Sequence, residues 1–130
     1  MPQKILIVDD STLMRKTIRQ VIERESGWQV CGEASNGAEA VSAVERLRPD
    51  IVVLDLSMPI MDGIEAAIQI KKLSPQMRLL MFTSYPTRSI EEAARSVGIE
   101  AFVAKNDGDK GLLEALHRLA ALPSVFRQGA

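Results

Sequence analysis

Apolar residues in this chain fall into short solid blocks, each followed by a stretch where they recur every three or four positions. Ile5-Leu6-Ile7-Val8 and Ile51-Val52-Val53-Leu54 are uninterrupted and rich in β-branched residues, and each ends at an acid. That pattern suits strands buried on both faces. Trp28 to Ala34 alternates as a second strand in chain order, Leu79-Leu80-Met81-Phe82 forms a fourth and Ala101 to Ala104 a fifth. Between them lie helical periods. Met14, Ile18, Val21 and Ile22 mark the first helix, capped by Ser11 or Thr12. Asn36-Gly37 breaks the second strand, a helix runs from Ala38 to Leu47, and Pro49-Asp50 stops it. Ile64 to Leu73 follows Gly63 and ends at Ser74-Pro75, while Ser89 to Val97 is closed by Gly98. Leu112, Leu113, Leu116, Leu119 and Ala120 form the stripe of a last helix.

Strands alternating with helices imply a parallel sheet covered on both faces, and right-handed crossovers make it a doubly wound α/β fold. The expected organisation is one domain over residues 1–122, with 123–130 as a C-terminal tail or linker stub. The length, 130 residues, agrees with one domain of roughly 100–150.

Composition narrows the function. A net charge of −1 removes any general attraction to nucleic acid or to an anionic membrane. No apolar run approaches the roughly 20 residues of a membrane span, and the N-terminal stretch lacks a signal peptide's apolar core. Cys31 is the single cysteine, so no internal disulfide forms, and a cytoplasmic protein is expected.

In open α/β sheets ligands bind beyond the carboxyl ends of the strands. Those ends carry Asp9 and Asp10, then Asp55, then Thr83, then Lys105. If the first and third strands are neighbours, three carboxylates crowd together and repel. A divalent cation removes the conflict, and a hard-oxygen donor set of carboxylates, carbonyls and waters suits Mg²⁺. A carboxylate beside Mg²⁺ and a lysine is equipped for phosphoryl transfer: Asp55 attacks phosphorus, while the metal and Lys105 neutralise the phosphoryl oxygens. Thr83 can bond a further phosphoryl oxygen and report the modified state.

This ordered set resembles the receiver domains of response regulators. The resemblance covers Lys4 to about Leu122 and rests on Asp9-Asp10, Asp55 in Val-Leu-Asp-Leu-Ser-Met-Pro-Ile-Met-Asp-Gly, Thr83-Ser84 and Lys105; Gly32 to Ala40 is also similar. It implies a flavodoxin-like sheet of five parallel strands in order 2-1-3-4-5 with five helices. It implies metal binding by Asp9, Asp10, Asp55 and the Ser57 backbone carbonyl, with Asp55 as phosphoacceptor. Thr83 and Lys105 would be the phosphate-contacting residues and Phe102 the switching aromatic. The donor would be a histidine kinase, a histidine phosphotransfer protein or a small phosphodonor. Signalling would pass through the fourth helix, fifth strand and fifth helix. Ser57 and Tyr85 would flank the route of a water attacking the acyl phosphate. The family commonly has proline after its lysine, often in cis; here Asn106 stands there.

Plainer readings apply to single residues. The acid pair could cap the first helix, Thr83 could cap the turn after its strand, and Phe102 could be ordinary core. Met58 and Met61 read as packing residues, Cys31 as a small buried hydrophobe and His117 as a solvated helix residue. Three functions compete: a phosphorylation-driven switch, a phosphorylation-independent binding module, and a small α/β enzyme. Gly-x-Gly-x-x-Gly and Gly-x-x-x-x-Gly-Lys-Ser/Thr are absent, and the acid pair is adjacent rather than split as Asp-x-Asp. The output is open between a free-standing regulator and the first part of a DNA-binding transcription factor, and phosphorylation could drive a homodimer through the last two helices.

Overall fold

A computed structural model of the protein describes residues 3–122. It runs β1 (Gln3–Val8), α1 (Thr12–Glu23), β2 (Trp28–Ala34), α2 (Gly37–Leu47), β3 (Ile51–Leu54), α3 (Gly63–Leu73), β4 (Arg78–Thr83), α4 (Arg88–Ser96), β5 (Ala101–Ala104), a 3₁₀ turn (Lys105–Asp107) and α5 (Gly108–Ala120). All strand pairs are parallel, and the sheet order is β2-β1-β3-β4-β5. This is the doubly wound order that the resemblance implies.

The solid apolar runs are explained by two cores, one on each side of the sheet. Leu6, Val8, Val52, Leu54, Leu79 and Met81 pack with Ala40, Val44, Ala66, Ile70 and Ala94 of α2, α3 and α4. Their alternating neighbours Ile5, Ile7, Ile51, Val53, Leu80 and Phe82 pack with Ile18, Val21, Leu112 and Leu116 of α1 and α5. In β3 each residue serves one core or the other, which requires apolar side chains at every position, whereas the edge strand β2 keeps polar residues such as Gln29 and Glu33. Full burial of each large aliphatic is worth about 1.5–3 kcal/mol.

Caps fix where the helices begin. Ser11 Oγ accepts from Met14 N, Asn36 Oδ1 from Glu39 N, Asp62 Oδ1 from Glu65 N and Thr87 Oγ1 from Ile90 N. Glu39 Oε1 also accepts from Ser35 N at 2.8 Å and from the Ser35 hydroxyl at 2.9 Å, which ties the residue before the cap to the first turn. These caps move the starts of α2, α3 and α4 one residue ahead of the apolar periodicity, to Gly37, Gly63 and Arg88. Strand β1 likewise begins at Gln3, whose N–H donates to Gly27 O. Strand β4 begins at Arg78, a buried cation that donates to the carbonyls of Leu119, in the last turn of α5, and of Leu122 just after it. Residues 123–130, the expected tail, lie outside the described residues. No helix among the described residues is long and apolar enough to cross a membrane.

Candidate functional site

Register builds the site. Val8 pairs with Leu54 across β1 and β3, so the next residues, Asp9 and Asp55, emerge side by side; Asp55 N donates to Val8 O at 2.9 Å. Carboxylate oxygens of Asp9, Asp10 and Asp55 all lie within 4.8 Å of one another. Asp9 is 1% and Asp55 7% exposed, while Asp10 faces solvent. Thr83 pairs with Ala104 at the ends of β4 and β5, which delivers Lys105 to the same pole. Its Nζ stands 2.9 Å from Asp9 Oδ2 and 3.3 Å from Asp55 Oδ1.

The electrostatics follow from this packing. Burial first, and then the negative charge of Asp9, push the Asp55 carboxyl up to about 6, against the pull of Lys105 and of the Leu56 N–H. Burial works to lower the Lys105 ammonium, but its bonds and charge contacts with Asp9 and Asp55 outweigh burial and raise it. Three carboxylates face one ammonium, a formal surplus of two negative charges. A divalent cation cancels that surplus, and all the donors are hard oxygens, so the residues present fit Mg²⁺.

Asp9 is bonded at every polar group. Its N–H donates to Ala34 O, its carbonyl accepts from Arg15 Nη1 at 2.6 Å, Oδ1 accepts from Ser11 N and Oδ2 from Lys105. The first helix is capped by Ser11 rather than by either acid, so the capping reading of Asp9-Asp10 does not hold. Behind Asp55 the chain passes so close to Gly63 that a Cβ there would collide with the Asp55 carbonyl oxygen. Gly63 N also donates to Leu56 O at 2.8 Å.

Thr83 is fully buried, and its Oγ1 accepts from Tyr85 N at 2.9 Å, so the hydroxyl does cap the turn after β4 while its own proton stays available. Ser57 is exposed beside the acids in sequence, and Tyr85 is exposed two residues past Thr83. Phe102 is half-buried on β5, packed against the α2–α4 core and in register with Met81. Asn106 lies inside the 3₁₀ turn Lys105–Asp107, and all peptide bonds of the described residues are trans. Met58 and Met61 pack against the core as expected. Cys31 is half-buried, and burial pushes its thiol up. His117 is largely exposed but not merely solvated: Nε2 is 2.7 Å from Glu25 Oε1, and its ring lies 4.5 Å from that of Trp28. A cavity of about 540 Å³ opens near Arg48, Asp50 and Met77, at the other ends of the strands, and holds none of the site groups.

Two contributors escape a reading by strand ends. Gly63 matters through a backbone approach that only the folded loop reveals. Arg15 sits on α1, and its bond to the Asp9 carbonyl has no periodic signature; the one available hint was the Arg15/Arg19 spacing with Glu33 as an acid in a strand.

Known proteins resemble this arrangement over nearly the whole chain. The family model described as the response regulator receiver domain matches residues 5–117. The response regulator protein VraR of Staphylococcus aureus is 35% identical over 123 residues, which cover 95% of this chain and 59% of VraR. This chain therefore spans less than two thirds of the length of such curated relatives. The response regulator domain of Thermotoga maritima CheB superposes with a TM-score of 0.87 at 29% identity, covering 95% of this chain and 100% of that one. A LuxR-family two-component response regulator from an Aurantimonas species gives 0.88 at 33% identity, covering 92% and 86%. A chain of the CheX–CheY–BeF3–Mg complex of Borrelia burgdorferi gives 0.89 at 27% identity, covering 94% of this chain and 92% of that one.

Proposed function

The chain belongs to the response regulator receiver domain family, and from that premise we propose that Asp55 accepts a phosphoryl group from a phosphohistidine. A receiver is a phosphoacceptor rather than a turnover enzyme. The donor is a histidine kinase or a histidine phosphotransfer protein, and a small phosphodonor can substitute. The observation that carries this reading is the placement of Lys105 Nζ between Asp9 and Asp55, with three carboxylates gathered around one point.

In this reading an Asp55 carboxylate oxygen attacks phosphorus. The new P–O bond forms as the P–N bond to the donor imidazole breaks, and the departing nitrogen takes the electron pair. With its carboxyl at about 6, Asp55 is mostly ionised at neutral pH yet more basic than an exposed aspartate. Asp10, exposed and without a hydrogen-bond partner among the described residues, Asp55 and the Ser57 carbonyl would hold Mg²⁺, with Asp9 alongside. When bound, the cation neutralises charge on the phosphoryl oxygens. Lys105 exchanges its contact with Asp55 for a phosphoryl oxygen, and Thr83 turns its free proton toward another. Movement of Thr83, with repacking of half-buried Phe102, then carries the state to the α4–β5–α5 face, through which two copies could also pair. This reading takes residues 1–122 as the receiver of a cytoplasmic protein, with 123–130 as a C-terminal tail or linker stub. The LuxR-family description of the Aurantimonas relative and the greater length of VraR support transcriptional regulation as the output.

Incubation with Mg²⁺ and acetyl phosphate should add one phosphoryl group to the intact protein, read by mass spectrometry. Asp55→Ala should abolish it, and Asp10→Asn should raise the Mg²⁺ requirement by about tenfold. Failure of the wild type to gain the group, or to bind beryllofluoride with Mg²⁺, sinks the proposal.

A further inference from the structure

We propose that Arg15 is a positioning residue of the cation site, fixing the Asp9–Asp10 peptide so that Asp10 presents its carboxylate toward Asp55. The inference rests on reading Asp9, Asp10 and Asp55 as that site. The side chain of Arg15 is only 16% exposed and makes three directed contacts. Nη1 donates to the Asp9 carbonyl at 2.6 Å, Nε to Glu33 Oε1 at 2.9 Å and Nη2 to Thr12 Oγ1 at 3.3 Å. The Asp9 carbonyl belongs to the same planar peptide as the Asp10 N–H. Holding that oxygen therefore sets the direction in which Asp10 leaves the strand.

Asp10 needs this help. Asp9 is secured at all four of its polar groups, whereas no hydrogen bond within the described residues restrains the Asp10 carboxylate. A free carboxylate on an unrestrained peptide would lose rotational freedom on taking up a cation, at a cost in affinity. The guanidinium suppresses that freedom beforehand.

A cationic side chain beside a cation site is otherwise unfavourable, and Glu33 resolves this. Glu33 lies on β2 opposite Ile7 and accepts from Arg15 with one oxygen and from Arg19 Nε with the other, at 2.8 Å. Burial works to raise its carboxyl, but the bonds from Arg19 and Arg15 outweigh burial and hold it below the usual range. Glu33 stays ionised and balances the charge of Arg15. A lysine could not span the same three acceptors, because its point ammonium lacks the planar fork.

The test measures binding of Mg²⁺ alone, by titration calorimetry, to the full chain and its variants. Arg15→Gln should weaken Mg²⁺ binding by about tenfold, Arg15→Lys should not restore it, and Glu33→Gln should weaken it severalfold. Arg19→Gln, which removes the other partner of Glu33, should stay within about twofold of the wild type. With acetyl phosphate, the half-saturating Mg²⁺ concentration should rise by the same factor, and the rate at saturating Mg²⁺ should stay within about twofold. If Arg15→Gln does not fold, Arg15→Lys and Glu33→Gln carry the test alone. Unchanged or tighter Mg²⁺ binding by the Arg15 variants, or an equal loss in Arg19→Gln, overturns the inference. A wild type that binds no Mg²⁺ overturns the cation site itself.

Discussion

Lys105 Nζ reaches Asp9 Oδ2 at 2.9 Å although 96 residues separate the two in the chain. Only a parallel sheet with β1, β3, β4 and β5 in sequence across it brings those strand ends to one pole. The pair holds together a site with more negative charge than it can keep by itself, and three consequences can be measured.

The carboxyl of Asp55 titrates at about 6 in the fold, against 3.8 without its surroundings. A raised acid makes the folded state bind the extra proton, so its contribution is fully present below the unfolded value and is lost as pH rises through about 6. Asp55→Asn removes the penalty. In EDTA at about pH 7.5 this variant should be more stable than the wild type by about 1–3 kcal/mol, and at about pH 4 the gain should shrink to about half a kcal/mol. Urea melts at the two pH values check it; a variant less stable at the higher pH would show that the carboxylate is not strained there.

Lys105→Met leaves two buried carboxylates with no ammonium between them. In EDTA at neutral pH it should lose about 2–4 kcal/mol of stability, the usual cost of stripping one partner from a buried ionic group. Saturating Mg²⁺ should return a large part of this, because a divalent cation answers the same charge. Melts with and without Mg²⁺ decide it, and equal losses under both conditions would count against a shared electrostatic role.

Glycine inside a helix is normally worth replacing, since alanine gains about 1 kcal/mol there. Gly63→Ala should show the reverse sign and cost about 2–4 kcal/mol, because its Cβ has nowhere to go but into the Asp55 carbonyl. Chemical denaturation measures it, and a stabilised variant would mean that the loop between β3 and α3 yields easily.

Most of the fold can be read along the chain because its physics is local. Ile51–Leu54 is apolar at all four positions since it lies between two cores, and its span in the fold equals its span in the sequence. The site acids are legible for a related reason, in that a strand buried on both faces must end where charge begins. Boundaries are less legible where a distant partner sets them. Gln3 joins β1 by bonding to Gly27, and Arg78 joins β4 as a buried cation because carbonyls at the end of α5 receive it. Arg15 and Glu33 meet across 18 residues between a helix and a strand, and two charged residues do not advertise their partner in any periodicity. Asn106 lies within the 3₁₀ turn after β5, and a proline in its place would disfavour the helical backbone of Lys105 before it.

The fourth strand touches both poles of the molecule. Its last residue, Thr83, closes the pole that carries the acids, and its first, Arg78, donates to the carbonyls of Leu119 and Leu122 at the end of α5. All six of its residues are buried, and five steps of strand span about 17 Å. The strand is thus a stiff, fully buried rod between the acidic pole and the C-terminal end of α5. A displacement of Thr83 along the strand axis would reach the end of α5 along one strand, without passing through any loop.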